Sequence, residues 1–180
     1  GAYGHPIPEI IIGFSAYLMG VPFSNVICFC FLFFSIIILY KTFCKSKHNI
    51  ALFVFLVLSN FYIFFENTNS IDYPIALFFF SLGLHYLKKN ILFLSYLFFG
   101  ITIACRANFL IFIYPIILIF FFEELKLKKI NNFIYSISIV TLTGLIFYVP
   151  LFHVNNYTLN FLDIPFITNN STTDGWYGGP

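Results

Sequence analysis

The sequence predicts an all-α fold, a polytopic transmembrane helical bundle with about six spans plus one short interfacial (juxtamembrane) helix. Three observations predict it. The chain has 180 residues, 60% hydrophobic and 9% charged, with a mean hydropathy of +0.92. A soluble domain carries about 25% charged residues, so this composition cannot cover a water-facing surface. Apolar runs of span length recur along the chain, interrupted by short polar strings. The eight lysines fall in three clusters: Lys41, Lys45 and Lys47; Lys88 and Lys89; Lys126, Lys128 and Lys129. Roughly 40 residues separate neighbouring clusters, room for two crossings and a tight turn. An even number of crossings returns the chain to the side it left, so every cluster falls on one face, as expected of a cytoplasmic face.

Residues 7–19 are too short to span and are interrupted by Glu9, Ser15 and Tyr17. Pro6 and Pro8 precede them, and Gly20 and Pro22 follow. They read as a helix lying in the interface or re-entrant. Residues 23–43 are the clearest span, and residues 50–65 the second. Glu66-Asn67-Thr68-Asn69-Ser70 is the far-side turn, and residues 72–87 return to Lys88.

Residues 91–122 are apolar except around Arg106 and Asn108. One helix there would be roughly 48 Å long at about 1.5 Å per residue, against a core of ~30 Å. Two short helices turning near Arg106 keep the third lysine cluster on the shared side. Pro115 is expected to kink the second of them. Residues 133–152 form the last span, ended by Pro150. The resulting division is a Pro-rich entry and juxtamembrane helix at 1–22, a transmembrane domain at 23–152, and a non-cytoplasmic loop or tail at 153–180.

The net charge of +2 is small and segregated, which excludes nucleic acid as a partner and leaves membrane lipid. Cys28, Cys30, Cys44 and Cys105 show no disulfide or metal spacing. They read as small apolar residues in spans, with juxtamembrane Cys44 a minor candidate for acylation. No basic segment precedes the first apolar run, so no signal peptide is visible. Gly1 and the terminal Gly178-Gly179-Pro180 suggest a piece of a longer protein.

The face opposite the lysines collects His5, Glu9, Glu66, Asp72, Arg106, Asn108, His153, Asp163 and Asp174. Five of the seven acids share it with the only arginine. Arg106 has two readings. A charge at membrane depth marks a functional site, and a planar fork of donors suits a phosphate. It can also snorkel to the interface and pair with Asp72 or Glu66. Asp72 opens a helix, where a carboxylate caps the first turn, and Pro74 is tolerated in that turn. Alternatively, Asp72 stands at the mouth of a cavity and orients a substrate or a metal. His5 and Glu9 are four apart, but no third ligand is near, so no metal site is predicted. Asn156-Tyr157-Thr158, Asn169-Asn170-Ser171 and Asn170-Ser171-Thr172 fit the glycosylation pattern. Asp174-Gly175-Trp176-Tyr177 is either an interfacial aromatic belt or a sugar-stacking loop.

This order of features resembles the membrane-embedded GT-C-fold glycosyltransferases, specifically the protein O-mannosyltransferase-like and aminoarabinose-transferase-like members. Gly4-His5-Pro6-Ile7-Pro8-Glu9 looks like their "G-x-P-x-x-E" entry, and residues 10–20 look like the juxtamembrane helix that follows it. Asp72-Tyr73-Pro74-Ile75 looks like their acid-Pro string. Gly100 through Arg106 looks like their "G-x-x-x-x-x-R" span, and Phe109–Phe122 like the Pro-bearing helix after it.

The resemblance implies the N-terminal half of a hexosyl- or pentosyl-type glycosyltransferase. Its donor is a polyprenyl-phosphate-linked sugar, and its acceptor a lipid, glycan or protein on the non-cytoplasmic face. The implied location is a bacterial inner membrane or an endoplasmic reticulum membrane, with the lysine-rich loops cytoplasmic. No cofactor beyond the lipid-linked donor is predicted, and a divalent metal is compatible with the chemistry. The family's main catalytic acid lies before the His-Pro string, which places it upstream of Gly1. The catalytic residue is therefore unknown, and the piece alone is expected to be inactive. The implied substrate-binding residues are Arg106, Asp72, His5 and Glu9. The alternative is a non-enzymatic polytopic membrane protein: a transporter, flippase or assembly subunit.

Overall fold

The computed structural model describes residues 5–44, 50–59, 72–126 and 130–154. Among them the fold is all-α, with no strand. The helices are α1 (Pro6–Met19), α2 (Val21–Phe43), α3 (Ile50–Leu58), α4 (Tyr73–Lys88), α5 (Leu92–Cys105), α6 (Leu110–Lys126) and α7 (Ile130–Val154). A 3-10 turn, Ala107–Phe109, joins α5 to α6.

Prolines and one glycine set the first boundaries. Pro6 opens α1 where a missing amide does no harm, and His5 before it is extended. Gly20, at φ +83, separates α1 from α2, and Pro22 sits in the first turn of α2. α4 ends in a Schellman turn. The Asn90 amide donates to the Leu87 carbonyl, and the Ile91 amide to the Tyr86 carbonyl, at 3.0 Å each. Asn90 takes the left-handed conformation at φ 60 that this turn requires.

Side-chain pairings fix the direction of each helix. Ile75 clusters with Cys105, and Ser95 Oγ donates to the Gly83 carbonyl at 2.8 Å, so α4 and α5 are antiparallel. Phe31 meets Phe78 at 5.1 Å and Thr42 meets His85 at 3.0 Å, so α2 and α4 are parallel. Gly100 abuts Val140 and Thr143, and Tyr148 reaches the Ile103 carbonyl, so α5 and α7 are parallel. Lys41, Lys88, Lys89 and the last turn of α6, at Lys126, therefore share one end of the bundle; Lys45, Lys47, Lys128 and Lys129 lie outside the described residues. Asp72 and Arg106 stand at the other.

Two apolar clusters hold the bundle. The larger joins Leu87, Tyr96, Phe99, Ile113, Ile117 and Val140, from α4, α5, α6 and α7. The smaller, Ile75, Ala76 and Cys105, lies at the arginine end and is covered by Ile7, Ile11 and Ile12 of α1. The buried hydroxyls of Ser15, Ser35, Ser81 and Thr102 donate to carbonyls three or four residues back, which satisfies them without a partner helix. Large apolar side chains face outward: Phe14, Tyr17, Ile111, Phe112, Ile146 and Val149 are all more than half exposed.

α2 is the one described helix long and apolar enough to cross a membrane by length and composition; α1, α5, α6 and α7 contribute shorter apolar stretches. Two short helices replace a single one over 91–122, and they part at Arg106. α6 runs through Pro115 as one helix. The described part of the second expected span is α3, Ile50–Leu58. Glu66, the far-side turn, Asp163, Asp174 and the Asn- and Trp-bearing tail lie outside the described residues.

Candidate functional site

Arg106 sits where α5 stops. Its backbone is extended, at φ −163 and ψ 112, and its amide closes the last turn of α5 on the Thr102 carbonyl. Neither Arg106 nor Ala107 is a helix breaker, so local propensity does not explain the stop. The side chain is held from outside α5. Nη1 of Arg106 donates to both carboxylate oxygens of Asp72, at 2.6 Å each. The two side chains are 11% and 13% exposed, which makes this a largely desolvated pair.

The pair is oriented with the helix dipoles. Asp72 precedes the amide-rich start of α4, which favours an anion. Arg106 follows the carbonyl-rich end of α5, which favours a cation. Asp72 holds the N-cap position of α4, but its side chain makes no capping hydrogen bond. The capping role is therefore not the one its carboxylate performs.

Two further groups complete the cluster. The guanidinium carbon of Arg106 lies 3.5 Å from the ring centroid of Tyr73, a cation–π contact. His5 Nε2 stands 3.5 Å from Asp72 Oδ2, so α1 delivers its N-terminus to the pair. Glu9 lies one helical turn further along α1, its amide closing on the His5 carbonyl. Its Oε1 is buried without a hydrogen-bond partner among the described residues, as is Nε of Arg106.

Three of the expected residues, Arg106, Asp72 and His5, are thus brought together, and Glu9 lies one helical turn from His5 on α1. Of the two partners expected for Arg106, Asp72 pairs with it, and Glu66 lies outside the described residues. Asn108 is exposed in the 3-10 turn, and His153 lies in the last turn of α7. No group of three or more metal-ligating side chains occurs among the described residues. Sequence reasoning passed over Tyr73, whose adjacency to Asp72 was the available signal. It also passed over Tyr148, for which the sequence holds no signal.

Chemically, the site presents a fixed cation with one amino group engaged by Asp72. Buried N–H groups carry a penalty until they find an acceptor. The Nε edge of the guanidinium, with Nη2, presents two parallel N–H donors that can take carboxylate or phosphate oxygens in bidentate fashion. The chain matches no protein-family model, no curated protein and no solved structure.

Proposed function

We propose that this chain is part of a polytopic membrane glycosyltransferase. It moves a sugar from a polyprenyl-phosphate-linked donor to a lipid, glycan or protein acceptor on the non-cytoplasmic face. The bundle crosses the membrane about six times, with α1 in the interface and the lysine end in the cytoplasm. The shared end of the lysines and the apolar outward face support that placement.

The observation that carries the catalytic reading is the buried, partnerless Nε of Arg106 at the end opposite the lysines. When a phosphate departs, negative charge develops on its oxygens, and a fixed cation stabilises it most where water is excluded. Arg106 takes that role, Asp72 holds it in place, and His5 and Glu9 line the entry. A carboxylate acting as general base on the acceptor hydroxyl is contributed by another part of the protein.

Transfer activity of Arg106→Ala and Arg106→Lys tests this, in the full-length protein in membranes supplied with a polyprenyl-phosphate sugar. Both are expected to lose activity at normal protein levels, since lysine lacks the planar fork. Normal transfer by both removes the phosphate role.

The short Asp72–Arg106 contact favours a second reading, in which the pair is a structural staple of a transporter, flippase or assembly subunit. The double exchange Asp72→Arg with Arg106→Asp separates them. A staple tolerates the swap, whereas a phosphate site does not.

A further inference from the structure

The stop at Arg106 leaves α5 with carbonyls that no following turn satisfies. An unbroken helix would offer the Ile103 carbonyl the amide of Ala107, which instead belongs to the 3-10 turn. Tyr148, on α7, fills that place: its hydroxyl donates to the Ile103 carbonyl at 3.1 Å, and the residue is 8% exposed. The contact needs α7 close against α5, and two glycines allow it. A Cβ on Gly144 would stand 3.2 Å from Ile103 Cγ2, and one on Gly100 would stand 2.5 Å from Thr143 Cβ. The glycine pair, the tyrosine and the arginine follow one another along a single helix contact. Tyr148 meets α5 three residues before Arg106, within the last turn.

We infer that Tyr148 is the positioning residue of Arg106. By taking over the Ile103 carbonyl it removes the drive to continue the helix through Ala107. That continuation would carry the Arg106 side chain around the helix axis and away from Asp72. The functional meaning rests on the Arg106 reading given above, but the geometry does not.

Arg106 is the sole arginine of the chain, so phenylglyoxal modification followed by peptide mass mapping reads one side chain. The experiment compares the wild-type protein, Tyr148→Phe and Tyr114→Phe in lipid nanodiscs, each with its Tm. Tyr114 also meets α7, through Thr141 Oγ1 at 3.3 Å, and serves as the hydroxyl-deletion control. Tyr148→Phe is expected to speed Arg106 modification about fivefold, the factor one net hydrogen bond is worth, and Tyr114→Phe to leave it unchanged.

A wild-type rate in Tyr148→Phe, with or without a lower Tm, overturns the inference and reduces Tyr148 to a packing residue. If Tyr148→Phe does not fold, Gly100→Ala is read instead, since a Cβ there would stand 2.9 Å from the Val140 carbonyl, a backbone atom that yields only if α7 moves. The same acceleration supports the inference, and an unchanged rate overturns it. The outcome is separable from that of the transfer assay. Should Arg106→Ala retain transfer, the glycosyltransferase reading falls while the modification rate still decides the role of Tyr148.

Discussion

Arg106 lays its guanidinium 3.5 Å from the ring centre of Tyr73, the residue that follows its ion-pair partner Asp72. One dipeptide at the start of α4 thus grips the arginine by its edge and by its face. The ring excludes water from one side of the cation, which strengthens the pair with Asp72 on its edge. Tyr73→Phe keeps the ring and is expected to match the wild type in stability. Tyr73→Leu is expected to lose about 1 kcal/mol. Denaturant titration in mixed micelles checks the difference, and equal losses in both variants would rule out the ring contact.

The ion pair itself predicts strong coupling. Removing one partner leaves the other largely buried and uncompensated. Arg106→Ala is therefore expected to destabilise the bundle by about 3 kcal/mol, the low end for a buried pair because a tenth of each side chain still meets solvent. A double-mutant cycle of Asp72→Asn and Arg106→Gln is expected to return a coupling of about 1–3 kcal/mol. Additive losses would mean that the two residues act independently.

Gly100 and Gly13 predict opposite responses to the same substitution. A methyl at Gly100 would stand 2.5 Å from Thr143 Cβ and 2.9 Å from the Val140 carbonyl, a backbone atom that yields only if α7 moves. Gly100→Ala is expected to cost about 1–3 kcal/mol. A methyl at Gly13 meets nothing within 4 Å, so Gly13→Ala is expected to be neutral or to stabilise α1 by about 0.5–1 kcal/mol. Tm values of the two variants, measured side by side, should move apart.

At the lysine end, Lys88 Nζ donates to the Thr42 carbonyl, a group that the end of α2 leaves without an amide. Thr42 Oγ1 donates to the Ile38 carbonyl at 2.7 Å. The hydroxyl has one proton, so at the 3.0 Å contact with Thr42 the Nδ1 of His85 is the donor. Lys88→Met keeps the apolar stem and removes the cap. It is expected to lower stability by about 0.5–1 kcal/mol, with Lys89→Met, whose lysine makes no such contact among the described residues, as the reference.

Sidedness gives a direct test of the bundle's placement. In a background without Cys28, Cys30, Cys44 and Cys105, single cysteines replace the exposed Lys41, Lys89, Tyr73 and Asn108. An impermeant maleimide should label positions 41 and 89 from one side of the membrane and 73 and 108 from the other. Labelling of 73 from the same side as 89 would mean that α4 does not cross the membrane.

Some of this was legible in the residues and some was not. The all-α class followed from composition. The division of 91–122 into two helices followed from the lysine clusters, because one helix would have put the third cluster at the wrong end. The α1 boundaries were legible from Pro6, Pro8 and Gly20, whose backbone limits act locally. The role of Asp72 was legible in part: pairing with Asp72 or Glu66 was one of the two readings of Arg106, and the structure shows the Asp72 pair. A carboxylate before a helix also reads as a cap, and only the approach of α5 turns it toward Arg106 instead.

The sequence by itself determined that the described residues are helical, where those helices start and stop to within a few residues, and that Lys41, Lys88 and Lys89 sit at the end opposite Asp72 and Arg106. Those properties come from local backbone preferences and from the segregation of polar residues, both written residue by residue. The lysine clusters placed a break near Arg106, and only the tertiary structure decided what holds it there. Arg106 and Ala107 favour a helix, and the break is held from outside it, by Asp72 on α4 and Tyr148 on α7. Each partner lies more than 30 residues away along the chain. Pairing over that distance depends on how the helices pack, on the close α5–α7 contact that Gly100 and Gly144 permit, and no local pattern encodes it.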